Sequence, residues 1–231
     1  MLLQPDQRTK LDDTDDIQFY GYPRFVTHVD AGFIRQLTDL YRQHLQPGFT
    51  ILDLMSSWVS HLPEEIEFAK VVGHGLNAEE LAKNPRLDDF YVQNLNQNLQ
   101  LPHDDRTFDA VVIAVSVQYL QYPEAIFSEI HRVLKPNGVV IVSFSNRMFY
   151  QKAIQAWRER TDHQRLQLVQ SYFSAVKGMG PPQLIANDPP QSSLLSWMGL
   201  GGGDPFFAVV KQRLSSSAQE CSMNGVSGQS V

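Results

Sequence analysis

The stretch Ala110-Val111-Val112-Ile113-Ala114-Val115 is continuously apolar and rich in β-branched residues, the composition of a strand buried on both faces of a sheet. A segment Tyr122–Leu134 follows, with Ile126, Ile130, Val133 and Leu134 at helical spacing. Pro136-Asn137-Gly138 then makes a turn into a second apolar run, Val139–Phe144. Strand, helix, turn and strand in that order predict parallel neighbours joined by a crossover helix.

The same rhythm extends toward the N-terminus. Phe33, Leu37, Leu40, Tyr41 and Leu45 mark a helix that Pro47-Gly48 stops. A short strand, Thr50–Asp53, comes next, and a further run, Ala69–Gly73, lies beyond a short helix expected to start at Pro63. Asn77 reads as the N-cap of a helix Ala78–Lys83, with Glu79 and Glu80 in its first turn, where the helix dipole favours acids. Phe90–Val92 is a third strand candidate. Beyond Phe144, helices are expected over Phe149–Arg158 and Leu166–Val176. Short strands at Leu184–Ala186 and Phe206–Val210 should close one sheet edge as an antiparallel pair. The expected fold is α/β, a mostly parallel seven-stranded sheet with an antiparallel edge and helices on both faces.

Both ends look loose. Residues 1–16 lack apolar periodicity, and 214–231 are rich in Ser, Gly and Gln; the folded domain is expected over 17–213. Pro189–Gly203 is apolar for a loop, with Leu194, Trp197 and Met198, and reads as a substrate lid, a contact surface or a flap packed on the sheet. An apolar share of 42% over 231 residues suffices for a packed core. A net charge of −6 with scattered Lys and Arg argues against nucleic acid as a partner. No apolar stretch approaches the roughly 20 residues of a membrane span. The single cysteine, Cys221, fits a reducing compartment and a cytoplasmic location. The seven histidines form no ligand pattern, so no metal is expected.

In open α/β sheets, ligands bind beyond the carboxyl ends of the strands where strand order reverses. That places the exit of the first strand, Asp53-Leu54-Met55-Ser56-Ser57-Trp58-Val59-Ser60-His61, at the centre of the question. It holds no glycine, which argues against a dinucleotide or phosphate cradle. The serines lack a Gly-x-Ser-x-Gly frame, which argues against a hydrolase.

Other strings carry a resemblance. Thr107-Phe108-Asp109-Ala110-Val111-Val112, Tyr122-Pro123-Glu124 and Glu129-Ile130-His131-Arg132-Val133-Leu134-Lys135-Pro136-Asn137-Gly138 resemble a class I S-adenosylmethionine-dependent methyltransferase of the type 11 kind, over roughly Phe19 to Gln212. Pro23-Arg24-Phe25-Val26-Thr27-His28, Ser56 to Pro63 and Ser143-Phe144-Ser145-Asn146-Arg147 are similar to an uncharacterised branch of that family found in cyanobacteria and plants. The resemblance implies a Rossmann-like fold, S-adenosyl-L-methionine as cofactor and a small-molecule acceptor. Asp53 matches the acid of the family's first motif, whose glycines correspond to Met55, Ser57 and Val59. Gly75 stands where the family places the acid that accepts the ribose hydroxyls. Leu95, between Asn94 and Asn96, stands where an acid often meets the adenine amino group. By the same resemblance Ser56, Trp58, Leu76, Val115 and Ser116 line the cofactor pocket. Ser116, Gln118 and Tyr119 face the reacting methyl, and Tyr20, Arg24, His28, Asn146 and Arg147 lie on the acceptor side. Arg147 is open to two readings, a bidentate anion contact or a structural salt bridge. Trp58 either stacks on a ligand or fills the space of the missing glycines. The missing glycines and ribose acid leave a second reading, a catalytically inactive module that keeps the fold to bind a nucleotide or a partner.

Overall fold

Seven strands form one sheet: β1 (Thr50–Asp53), β2 (Lys70–Gly75), β3 (Asp89–Val92), β4 (Phe108–Ala114), β5 (Leu134–Phe144), β6 (Gln183–Asn187) and β7 (Phe206–Gln212). The computed structural model describes residues 2–174, 176–188 and 203–215. Most of the loop 189–203, and residues 216–231 of the expected tail 214–231, with Cys221, lie outside them. The strand order is β3-β2-β1-β4-β5-β7-β6. All pairs among β1 to β5 are parallel, and β7 is antiparallel to both β5 and β6. The expected seven-stranded sheet with an antiparallel edge is the observed one.

Helices α1 (Asp16–Tyr20), α2 (Ala31–His44), α3 (Ala78–Lys83), α4 (Pro123–Val133), α5 (Gln155–Arg158) and α6 (Asp162–Ser174) complete the fold. Side chains alternate across the sheet and separate two cores. Ile51, Val71, Ala110, Val112 and Ile141 join Phe33, Leu37 and Tyr41 of α2 on one face. Leu52, Val72, Val111, Ile113 and Val140 join Ile126 and Ile130 of α4 and Val169 and Phe173 of α6 on the other. Burial on both faces is why β4 reads as an unbroken apolar run.

Three expectations need correction. No helix starts at Pro63: one turn closes there, Ile66 N–H to Pro63 O at 3.4 Å. The chain is then tied to the approach of β1, with Gly48 N–H donating to Glu67 O and Ala69 N–H to Phe49 O. The helix expected over Phe149–Arg158 is confined to Gln155–Arg158. Upstream of it, the carbonyl of Gln151 accepts from the N–H groups of Leu11 and Asp12, and the backbone leaves helical register.

That contact exposes the third difference. The stretch before Asp16 is packed on the domain. Leu3 and Arg8 are buried, and Arg8 donates to Leu3 O and Gln121 O and pairs with Glu124. Lys152 is fully buried. Its ammonium donates to Asp12 O, Thr14 O and Thr14 Oγ1 at 3.2, 2.6 and 3.1 Å, with the Asp16 carboxylate 3.6 Å away. The segment is held by pairing and hydrogen bonding instead of by apolar periodicity.

A candidate binding cleft at the strand ends

Strand order reverses between β1 and β4, so the chain diverges from their carboxyl ends and leaves a crevice there. The residues leaving β1 form its floor. Met55 adopts a left-handed backbone, φ 61°, the conformation that glycine adopts freely. The turn that glycine usually makes is thus kept by a methionine, held in place by β2: Met55 N–H donates to His74 Nδ1 at 3.1 Å and Ser56 N–H to His74 O at 2.6 Å. The imidazole Nε2 lies 2.8 Å from Gln93 O. A carbonyl only accepts and a backbone N–H only donates, so His74 carries its proton on Nε2 and is neutral. Burial pushes its pKa down to about 4.

Gly75 follows from the same crossing. A Cβ there would sit 2.6 Å from Ser56 O, so the loop leaves no room for any side chain at that position. The absent acid and the unusual loop are one structural fact. Asp53 lies beneath, buried, accepting Ser56 Oγ–H at 2.6 Å. Burial raises its carboxyl to about 6, against the opposing hydrogen bonds of Ser56 and Ser60.

The next wall comes from α3. Asn77 caps it as expected, its Oδ1 accepting from Glu79 and Glu80 N–H and its amide donating to Tyr20 O and Gly21 O. Glu80 accepts Ser57 Oγ–H at 2.6 Å and Arg24 N–H at 2.7 Å, joining the loop after β1 to the segment 20–30 above it. Trp58 makes a second tie, its indole N–H to Val26 O at 3.1 Å with Phe25 against the ring edge.

The exits of β3, β4 and β5 close the cleft. Asn96 is committed to protein partners: its amide donates to Asp16 Oδ2 and Tyr119 O, and its Oδ1 accepts from Gln121 N–H. Asn94 Oδ1 accepts from Asn96 N–H. Val115 is left-handed, φ 53°, costly for a β-branched residue. Ser116 Oγ, Tyr20 Oη and Asp16 Oδ1 are buried and have no hydrogen-bond partner among the described residues. The Tyr119 hydroxyl accepts Phe149 N–H at 2.8 Å. Arg147 Nε donates to Asp204 Oδ1 at 2.7 Å.

Together these groups enclose about 390 Å³, a volume suited to a small ligand. Asp53, Met55, Ser56, Ser57, Trp58, Gly75, Leu76, Asn94, Leu95, Asn96, Val115 and Ser116 all line it, as do Tyr20, Arg24, His28, Tyr119 and Arg147. Asn146 does not: it is exposed and lies outside this lining. Sequence reasoning missed Asp16, Glu80 and Phe149, which also line the cleft. The one available signal was Glu80 in the first turn of a capped helix beside the crevice. Three left-handed non-glycine residues, Met55, His61 and Val115, converge on this lining. Strain of this kind gathers where a site is being held in shape. Among the described residues no cluster of His, Cys, Asp and Glu is arranged to hold a metal, and no helix is long and apolar enough to cross a membrane.

Residues 57–142 match the family model described as a methyltransferase domain. The chain is 32% identical over 116 residues to a demethylmenaquinone methyltransferase of Clavibacter sepedonicus, covering 49% of this chain and 45% of that protein. It spans less than half the length of the curated relatives it matches. Among solved structures, a phosphoethanolamine N-methyltransferase of Haemonchus contortus in complex with S-adenosyl-L-methionine superposes with a TM-score of 0.54 at 15% identity, over 78% of this chain and 52% of that one. The 4+2 cyclase SpnF superposes with a TM-score of 0.53 at 15% identity, over 78% and 82%. The fold is the Rossmann-like fold of class I methyltransferases.

Proposed function

We propose that this protein is an S-adenosyl-L-methionine-dependent methyltransferase acting on a small-molecule acceptor in the cytoplasm. One observation carries the reading: three strained left-handed residues and two unpartnered hydroxyls, those of Tyr20 and Ser116, line a single cleft at the switch point of this fold. Buried polar atoms without partners are rare and costly, and a nucleoside supplies both donors and acceptors.

The residues fit that ligand with one rearrangement. Gly75 carries no acid, and Ser56 O bars one. Replacing charge-assisted hydrogen bonds to a diol costs about 2–3 kcal/mol, roughly 30- to 150-fold in affinity. The Glu80 carboxylate lines the same wall from α3, and both its oxygens already accept, from Arg24 N–H and Ser57 Oγ–H. Leu76 and Leu95 offer apolar surface for a flat ring, while Tyr20 Oη and Ser116 Oγ remain to be satisfied. When bound, the cofactor supplies an electrophilic methyl on a sulfonium. The chain then has to hold the acceptor in line and exclude water, which positioning alone accomplishes. Burial keeps His28 below its ordinary pKa, so a neutral imidazole stands in the cleft to take a proton from the acceptor.

Calorimetry with S-adenosylmethionine and S-adenosylhomocysteine tests the proposal. Saturable binding of both supports it, and no heat at millimolar ligand refutes it. The rearranged floor favours a second reading, an inactive module that binds a nucleoside without turnover. A fold shared with a cyclase shows that architecture does not decide between them. Binding without methyl transfer to any acceptor in a broad metabolite screen would select it.

A further inference from the structure

Resting on the methyltransferase reading, we propose that the acceptor carries an oxyanion, a carboxylate or a phosphate, and that Arg147 holds it at the open edge of the cleft. Arg147 leaves β5 and lines the cleft with its side chain 62% exposed. Its guanidinium is fixed by one edge only, Nε to Asp204 Oδ1. Among the described residues, neither terminal nitrogen has a partner. Asp204 is itself rigidly placed: it is buried, and its other oxygen accepts Asp30 N–H at 2.9 Å. A guanidinium tethered through Nε presents its terminal nitrogens as a planar fork that matches an oxyanion and is already oriented.

The surrounding charge points the same way. Arg24 also lines the cleft, and among the described residues its guanidinium pairs with no carboxylate; it donates to Phe19 O and Tyr22 O and lies over the rings of Phe19 and Phe149, 5.0 and 5.5 Å from their centroids. The carboxylates of the cleft are engaged elsewhere, Asp16 by Lys10, Glu80 by Ser57 and Arg24 N–H, and Asp53 beneath Ser56. Lys152 Nζ lies over the same Phe19 ring, 5.1 Å from its centroid, so two cations already hold this aromatic ground. Between the two arginines, Phe149 meets His28 edge-on at 5.3 Å, and Tyr20 and Tyr119 stand 6.0 and 6.2 Å from it. This panel suits the flat or apolar body of a molecule whose charged end reaches Arg147.

The test uses benzoate, phenyl phosphate and the neutral isostere benzamide as probes. Each is titrated by calorimetry into the full-length protein, with and without saturating S-adenosylhomocysteine. The expected result is at least tenfold tighter binding of one or both anions than of benzamide, with the stronger anion identifying the oxyanion. Arg147→Gln should abolish that preference and leave S-adenosylhomocysteine affinity unchanged; Arg147→Lys should restore part of it. Benzamide binding as well as the anions, no anion binding at all, or a preference that survives Arg147→Gln overturns the proposal. The cofactor reading is scored separately: failure of S-adenosylhomocysteine to bind removes that reading while an intact anion preference would remain.

Discussion

Asp30 and Asp204 each accept the other's backbone N–H: Asp30 N–H donates to Asp204 Oδ2 at 2.9 Å, and Asp204 N–H to Asp30 Oδ2 at 2.7 Å. Each carboxylate has a second duty. Asp30 Oδ1 caps α2 through Phe33 N–H, and Asp204 Oδ1 takes Arg147 Nε. The entry to α2, the approach to β7 and the loop after β5 are thereby fastened at one point beside the cleft.

Removing Asp204 should therefore cost far more than removing Arg147. Asp204→Ala strips partners from Asp30 N–H and Arg147 together and is expected to lower stability by about 1–3 kcal/mol. Arg147→Gln removes an exposed partner of the pair and should cost less than about 1 kcal/mol. Urea denaturation of the two variants checks the order, and an equal loss would show that the latch contributes nothing beyond the ion pair.

Placing an acid at Gly75 should do harm. The Cβ of any residue there meets Ser56 O at 2.6 Å, so Gly75→Asp must displace the loop that Met55 and Ser56 tie to His74. Overpacking of this kind costs about 1–3 kcal/mol. Lower stability with weaker S-adenosylhomocysteine binding is the expected outcome. A gain in affinity from Gly75→Asp would mean that the loop after β1 moves aside with little cost.

Met55 offers the complementary experiment. Its left-handed backbone costs about 1–2 kcal/mol for an ordinary residue, while its side chain packs against the larger core. Met55→Gly relieves the first and forfeits the second, so its stability should stay within about 1 kcal/mol of the parent. Met55→Ile retains the burial but brings a β-branched residue into the same conformation, and should lose at least about 1 kcal/mol. Thermal unfolding of the two variants decides it; equal midpoints would remove backbone strain from the account.

What the sequence disclosed and what it concealed divide along physical lines. The sheet was legible because alternate residues of β1, β4 and β5 feed two cores, leaving runs such as Ala110–Val115 that suit a doubly buried strand. The location of the cleft was legible because it follows from where strand order turns. The packed N-terminal segment was not, since Arg8 and Lys152 read as solvated charges until distant partners bury them. The helix expected from Phe149 is cut short because Gln151 O and Lys152 are claimed by the segment around Leu11 and Thr14. Met55, His61 and Val115 in left-handed conformations carry no sequence signal, because glycine is the residue that announces such a turn. Glu80 declared itself as an acid in the first turn of a capped helix, and only the tertiary crossing makes it part of the cleft.

Lys152 gives a sharper test of that N-terminal packing. It is fully buried, and its partners are two carbonyls, a hydroxyl and the carboxylates of Asp12 and Asp16. Breaking a buried pair on one side costs about 3–5 kcal/mol, so Lys152→Ala should be among the most damaging single changes in the chain. Because Asp16 also lines the cleft, ligand binding should weaken in the fraction that stays folded. Limited proteolysis should then cut the variant before Asp16 while the parent resists. Equal resistance in the two proteins would show that the segment is held by its other contacts, such as Arg8 with Glu124.

The two buried ionisable groups under the loop after β1 should oppose each other in their pH dependence. Asp53 titrates near 6 in the folded protein against an ordinary 3.8, so between about pH 4 and 6 the folded state holds more protons than the unfolded chain, and stability falls as pH rises. His74 titrates near 4 against an ordinary 6.5; there the unfolded chain holds more protons, and stability is lost as pH falls from about 6.5 to 4. Each effect alone amounts to about 3 kcal/mol across its window, and in the parent they nearly cancel. Asp53→Asn removes the first, so relative to the parent its stability should climb as pH rises from about 4 to 6. His74→Gln removes the second, so relative to the parent it should gain as pH falls over about the same range. Urea midpoints for the three proteins at half-unit steps of pH expose this as two difference curves of opposite slope. Flat curves would mean that water reaches Asp53 and His74 well enough to return both groups toward their ordinary values.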